Sequence, residues 1–188
     1  MKKKILILGS DGQIGSHLVD FFKNKKKYNI LKFDLVSGKS FDLRNFSNKK
    51  LEKNIKESDF VFFLAFDVGG SRYLKKYQKT FQFIINNLLI MGNVFRLLSK
   101  HKKRFIFASS QMSNMDFSSY GTLKRLGESI TNSLNGNYVK CLNVYGIEKE
   151  LKNSNFAMPP AKLSLGYPFS SIKRLFDVMG PGMAKHFM

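Results

Sequence analysis

Three groups of residues carry chemistry by their type and spacing. The first is Gly9-Ser10-Asp11-Gly12-Gln13-Ile14-Gly15, directly after the apolar run Ile5-Leu6-Ile7-Leu8. A glycine loop between a strand and a helix aims the helix's first amide groups at a phosphate. Gly9 permits the turn, Gly12 lets the backbone approach a pyrophosphate, and Gly15 lets helix and strand pack closely. The spacing is G-x-x-G-x-x-G, so the glycines taken alone also fit an ordinary turn. The second group is Asp34, which ends another apolar run about 20 residues further on, where an acid can hold ribose hydroxyls. A carboxylate there repels a 2′-phosphate and favours NAD over NADP, while Lys32 and Lys39 nearby work against that preference. Asp42-Leu43 either reaches an adenine edge or caps the segment that follows.

The third group is Ser110 with Tyr120 and Lys124. Tyr120 and Lys124 are four apart and share one helix face. An ammonium favours the phenolate and lowers a tyrosine from its ordinary pKa of about 10. Tyr120 can then take a proton from an alcohol as hydride leaves the same carbon. Ser110, at a strand end, can donate a hydrogen bond to the developing oxyanion. A lone Tyr-x-x-x-Lys is usually a solvated pair; after a dinucleotide loop and a strand-end Ser-Ser, the catalytic reading is the stronger one.

The elements that must position these residues follow from the hydrophobic pattern. Nearly continuous apolar runs predict strands over Lys4–Leu8, Ile30–Asp34, Phe60–Phe66, Phe105–Ser109 and Tyr138–Asn143. Helical spacing predicts Gly12–Lys25, Phe81–Lys100 and Tyr120–Leu134 between them. In the first of these, Ile14, Leu18, Phe21 and Phe22 form the inward stripe; in the second it runs through Ile84, Ile85, Leu88, Leu89, Val94, Leu97 and Leu98. In the third, Leu123, Leu126, Ile130 and Leu134 face inward. The alternation implies an α/β fold: a doubly wound parallel sheet, three layers deep, with helices on both faces. Residues 1–146 make the nucleotide-binding domain, and 147–188 a short irregular tail broken by Met158-Pro159-Pro160, Gly166-Tyr167-Pro168 and Gly180-Pro181-Gly182. Only Ser170–Val178 reads as helical there, and Met179 and Met183 as an exposed apolar patch.

Composition bounds the rest. At 188 residues the chain is long enough for one core. One cysteine, Cys141, rules out an internal disulfide framework and reads as core; three scattered histidines give no metal spacing. His17 and His101 read as solvated residues. The apolar stretch after Lys2-Lys3-Lys4 is too short for a secretory signal, and no run is expected to span a membrane, so the expected location is the cytoplasm. The net charge is +19, but the lysines are spread in pairs and triplets, which reads as a solvated surface and makes a nucleic-acid partner the weakest alternative.

Together these residues resemble the extended short-chain dehydrogenases/reductases, the NAD-dependent epimerases/dehydratases. The resemblance runs over about residues 4–147: Gly9 to Gly15, Phe33-Asp34, Asp42-Leu43, Phe63-Leu64-Ala65, Phe107-Ala108-Ser109-Ser110, Tyr120 to Lys124 with Gly127-Glu128, and Asn143-Val144-Tyr145-Gly146. Ala65-Phe66-Asp67-Val68-Gly69-Gly70 and the run Asn87–Val94 look most like GDP-fucose synthases and GDP-mannose epimerases. The resemblance implies a Rossmann fold and NAD held by Gly9, Asp11, Gly12, Gln13, Ile14, Gly15, Asp34, Asp42, Leu43, Leu64, Ala65, Tyr120 and Lys124. It implies Ser110, Tyr120 and Lys124 as the catalytic trio, a nucleotide sugar as substrate, and a homodimer through the helices at Phe81–Lys100 and Tyr120–Leu134.

Three departures stand against the pattern. Met112 occupies the place of a cysteine that exchanges protons in epimerising relatives, and a thioether is neither acid nor base. Ser113-Asn114 replaces the usual Val/Ile-Tyr. Residues 147–188 do not follow the family's substrate-binding half, which sets up the alternative of a non-catalytic NAD-binding module acting as a partner subunit.

Overall fold

The computed structural model describes residues 2–115 and 117–141, without the side chains of Lys140 and Cys141. The expected domain boundary at residue 146, the tail with its helix and Met179/Met183 patch, residues 143–146 and the burial of Cys141 therefore lie outside the described residues.

Five strands form one parallel sheet: β1 Lys3–Leu8, β2 Tyr28–Phe33, β3 Phe60–Phe63, β4 Phe105–Ser110 and β5 Asn137–Cys141. Their order is β2-β1-β3-β4-β5, with Leu8 opposite Phe33 and Phe63, and Phe63 opposite Phe107. The direction of winding reverses beside β1, the switch point where open α/β sheets leave a crevice for a ligand. The helices are α1 Gln13–Lys23, α2 Lys49–Glu57, α3 Gly70–Tyr77, α4 Phe81–Lys100 and α5 Ser119–Ser133.

Successive strand residues point to opposite faces. Leu6, Leu8, Phe33, Val61, Phe63, Phe105 and Phe107 therefore share one face, in one core with Leu51 and Ile55 of α2, Met91, Val94 and Phe95 of α4, and Leu123 of α5. Phe62 points the other way and meets Phe22 of α1, whose ring also meets Tyr28. The result is the three-layer Rossmann arrangement. Helix starts are set by short polar caps: Asn48, Thr80 and Ser118 accept from the amides of Leu51, Phe83 and Gly121.

Several local expectations change. The apolar run from Phe60 leaves the sheet after Phe63, because the amides of Leu64 and Ala65 both turn to the Leu8 carbonyl. Two helices were hidden, α2 in a lysine-rich stretch with two buried residues and α3 with one, Leu74. Leu88 and Leu126 are 38% and 43% exposed, not inward. On α5, Leu123 is buried and Ile130 and Leu134 pack on the core as expected, and Tyr120, Gly121, Lys124, Gly127, Glu128 and Thr131 are buried with Leu123. His101 is not a solvated residue: its ring is largely buried, with Nε2 3.1 Å from Glu52. Helix α4, contrary to expectation, is long and apolar enough to cross a membrane by length and composition. Nine of its residues are buried in this fold, among them Asn87 and Asn93, whose amides bind backbone carbonyls.

Candidate active site

The glycine loop forms as its residue types require. Gly9 sits at φ 87°, where L side chains are strained, and a Cβ there would lie 2.8 Å from the Ala65 amide nitrogen. A Cβ on Gly15 would lie 1.9 Å from the Gly9 carbonyl oxygen. These two positions admit only glycine without a shift, and they lock β1, α1 and the end of β3 together. Gly12 is the N-cap of α1; it brings no side-chain cap, and the first turn holds no acidic residue. The leading amides of α1, with the helix dipole behind them, thus suit an anion.

Asp34, just past β2, is fixed at this loop. One carboxylate oxygen accepts from the Asp11 amide (2.9 Å) and the other from the Val36 amide (3.1 Å). The Asp11 side chain pairs with Lys32 at 2.8 Å, and this ammonium holds the Asp11 carboxyl below its ordinary range. Lys32 is thereby held against the loop's own acid. Gln13 and Ile14 open α1 directly beyond the loop.

Asp42 and Leu43 follow the two short 3-10 turns after Asp34. Leu43 is buried in the core. Asp42 accepts from the Arg44 amide and from Nε and Nη2 of its guanidinium, which hold the Asp42 carboxyl below the usual carboxylate range. Of the two roles left open for Asp42, this geometry is the local cap. Arg44 reaches on to Asn86, whose amide nitrogen donates to Asp67, so the pair is linked to the loop after β3.

The second half of the site is built by α5 sinking into β4. A Cβ on Gly121 would stand 2.0 Å from the Met112 carbonyl oxygen, and one on Gly127 would stand 2.5 Å from the Phe107 ring. Glycine at both places brings the inward face of α5 onto the carboxyl end of β4. Lys124, 3% exposed, donates to the Ala108 carbonyl at 2.7 Å. Its ammonium lies 5.6 Å from the Tyr120 ring centre. Tyr120 is buried at the start of the helix, which Gln78 steadies by accepting from the Ser118 hydroxyl (2.8 Å). Ser110, also buried, accepts from the Met112 amide (3.2 Å). Its neighbour Ser109 donates instead to buried Glu128 of α5. The two serines thus do separate work, one at the strand end and one inside the core.

One residue that the sequence marks only as part of the stretch from Ala65 to Gly70 joins the halves. Phe66 follows Ala65, which touches Gly9, and its ring lies 3.7 Å from the Lys124 ammonium and 5.6 Å from the Tyr120 ring. The sequence shows only a phenylalanine at the end of an apolar run, which reads as strand. Asp67 is similarly unmarked, yet Asn87 binds its amide and carbonyl while Tyr73 donates to its carboxylate at 2.7 Å.

Comparison with known proteins agrees with the fold. A family model described as "NAD dependent epimerase/dehydratase family" matches residues 5–158. The bifunctional polymyxin resistance protein ArnA of Wigglesworthia glossinidia brevipalpis is 28% identical over 196 residues, covering 96% of this chain and 28% of that protein. A GDP-L-fucose synthetase from Naegleria fowleri bound to NADP matches with a TM-score of 0.59 at 17% identity, over 74% of this chain and 53% of that one. A UDP-N-acetylglucosamine 4-epimerase from Bacillus cereus matches with a TM-score of 0.59 at 18% identity, over 74% and 55%. The chain thus spans about half the length of these solved structures and 28% of ArnA; the structural matches speak for the fold. With the family model covering well over half of its residues, the chain belongs to the NAD-dependent epimerase/dehydratase family.

Proposed function

We propose that this chain is an NAD-dependent oxidoreductase acting on a hydroxyl of a nucleotide sugar. The observation that carries the reading is the buried Lys124 ammonium beside Tyr120, anchored to the Ala108 carbonyl on the same sheet edge as the glycine loop. The uncapped first turn of α1 and the two glycines that no side chain can replace fit a pyrophosphate, and Asp34 fits a ribose with free hydroxyls. NAD is favoured over NADP on the charge of Asp34. The GDP-L-fucose synthetase from Naegleria fowleri is bound to NADP, so the preference for NAD rests on Asp34 alone. When bound, NAD supplies the hydride acceptor.

The chain's own residues do the proton chemistry. Tyr120 removes the hydroxyl proton, Lys124 favours the phenolate by its charge, and Ser110 stabilises the oxygen as its charge changes. The amides of Leu64 and Ala65 donate to the Leu8 carbonyl and bring the end of β3 against Gly9 of the loop. Met112 lacks an ionisable group, so the reading excludes proton exchange at a neighbouring carbon by that residue. The keto intermediate is then epimerised, dehydrated or reduced. The same reading includes a cytoplasmic location and a homodimer, the latter supported by Phe81 and Leu88 exposed on α4 and Leu126 on α5.

The test is calorimetry with NAD, followed by turnover on a panel of nucleotide sugars. Tyr120→Phe should lower turnover by about 100-fold or more and leave NAD affinity nearly intact. Unchanged turnover removes Tyr120 as the base. NAD binding without turnover in the unaltered chain favours the second reading, a non-catalytic module, to which Phe66 over Lys124 lends a specific observation.

A further inference from the structure

We propose that Gln78 is a positioning residue for Tyr120: its side-chain carbonyl fixes the first turn of α5 and so sets where the phenol stands relative to the Lys124 ammonium. The inference rests on the acid–base reading above and deepens it. Gln78 follows α3 and lies 42 positions before Tyr120, yet its Oε1 reaches the start of α5. That oxygen accepts from the Ser118 hydroxyl at 2.8 Å and, by a longer bond, from the Tyr120 amide at 3.5 Å. Ser118 is the N-cap of α5, and its oxygen in turn accepts from the Gly121 amide at 3.0 Å. A serine hydroxyl has one proton to give and lone pairs to receive with. Giving the proton to Gln78 leaves the lone pairs for the helix, so the Ser118 side chain joins α3 to α5.

The first amides of a helix have no partner inside it, and helix ends fray. Tyr120 stands in such a turn, and no acidic residue is present there to meet the amides. The neutral oxygen of Gln78 does so from outside. On the other side of Tyr120, Gly121 is pressed against the Met112 carbonyl. The backbone of the proposed base is therefore held from two directions. Attraction between an ammonium and a phenolate falls with their separation. A first turn that loosens carries the phenol away from Lys124 and weakens that attraction.

Gln78 is itself fixed. Its amide donates to the carbonyl of buried Leu74 at 3.1 Å. Two residues on, the Thr80 amide donates to the Tyr77 carbonyl at 2.9 Å, and the Thr80 hydroxyl oxygen caps α4. Earlier in α3, Tyr73 donates to Asp67, so this short helix runs from the loop after β3 to the helix of the base. Lys124 is the charge that faces the Tyr120 ring, 5.6 Å from its centre; Phe66 from the β3 loop and Gln78 from α3 are its neutral neighbours.

The experiment is a pH titration of the full chain without ligand, followed by carbon NMR of ζ-labelled tyrosines, with Tyr120→Phe identifying the Tyr120 signal. In the unaltered chain Tyr120 should titrate below the ordinary tyrosine value of about 10. Gln78→Met keeps the length of the side chain and removes the acceptor. It should raise the Tyr120 midpoint by about half a pH unit or more. A low midpoint that Gln78→Met leaves in place or lowers overturns the role of Gln78, even where the melting temperature falls, and leaves the Tyr120–Lys124 reading standing. A midpoint at or above about 10 in the unaltered chain overturns both. If Gln78→Met does not fold, Gln78→Glu decides, since it keeps the acceptor and adds a charge beside the turn. The Tyr120 midpoint should then rise, because a like charge disfavours the phenolate; an unmoved midpoint overturns the proposal.

Discussion

The Asp34 carboxylate accepts a hydrogen bond from the Asp11 amide at 2.9 Å, which makes the end of the second strand and the tip of the glycine loop one unit. The same oxygens are the ones a coenzyme ribose would meet. Asp34→Ser should therefore do two things at once. Relief of charge should bring NADP within about tenfold of NAD, and a looser loop should weaken both. Paired titrations of the two coenzymes check this; a variant that keeps its full preference for NAD removes Asp34 as the selector.

Gly121 is another position where a single methyl group decides geometry. A Cβ there meets the Met112 carbonyl, a backbone atom that cannot turn aside. Gly121→Ala should cost about 1–3 kcal/mol by overpacking, read from urea unfolding. It should also lower turnover more than NAD affinity, because Tyr120 is the adjacent residue.

Ser109 and Ser110 should separate in their effects. Ser109 donates to buried Glu128, so Ser109→Ala leaves a buried carboxylate short of a partner and should lower stability by about 1–3 kcal/mol. Ser110→Ala should change turnover while thermal unfolding moves little. If Ser109→Ala is the variant that stops turnover with stability kept, the roles are reversed.

Tyr73 supplies an alkaline marker. Its hydroxyl donates to the Asp67 carboxylate, which pushes its pKa up from 10.0 to about 12. A raised pKa means that the neutral form is favoured in the folded state. Its contribution to stability is fully present below pH 10 and is lost as the pH rises through about 12. Tyr73→Phe should thus destabilise the protein at neutral pH, with the gap to the unaltered chain closing above pH 10. Phenolate absorbance should lose the tyrosine that titrates near 12; an unchanged titration curve contradicts the Tyr73–Asp67 bond.

The proposed dimer is tested at Leu88, exposed on α4. Leu88→Glu should shift sedimentation to the monomer with secondary structure retained. If the unaltered chain sediments as a monomer throughout, the dimer is wrong.

Much of this architecture was legible because its elements announce themselves in the chain. The five strands are apolar runs, and the twenty residues of α4 carry an unbroken helical pattern between Thr80 and His101. What stayed hidden did so for physical reasons. Helix α2 buries only Leu51 and Ile55, and α3 only Leu74, too few apolar positions to show a period. On α5 the inward face mixes Tyr120 and Leu123 with Lys124, Glu128 and Thr131, so the leucine pattern found Leu123 but also pointed to Leu126, which is exposed, and away from the buried polar residues. Within the site, the glycines and Asp34 were readable because a turn and a ribose each demand a residue type. Phe66 was not readable, since an aromatic side chain that covers an ammonium looks in sequence like one more core residue.

The lysine anchor has a genetic consequence. The oxygen that receives the Lys124 proton belongs to the main chain at Ala108, and every amino acid has that atom. No point change at position 108 can delete the acceptor. Drift along the strand can vary the neighbouring side chains while the ammonium stays docked, and release requires altering the lysine itself or displacing the strand that holds it.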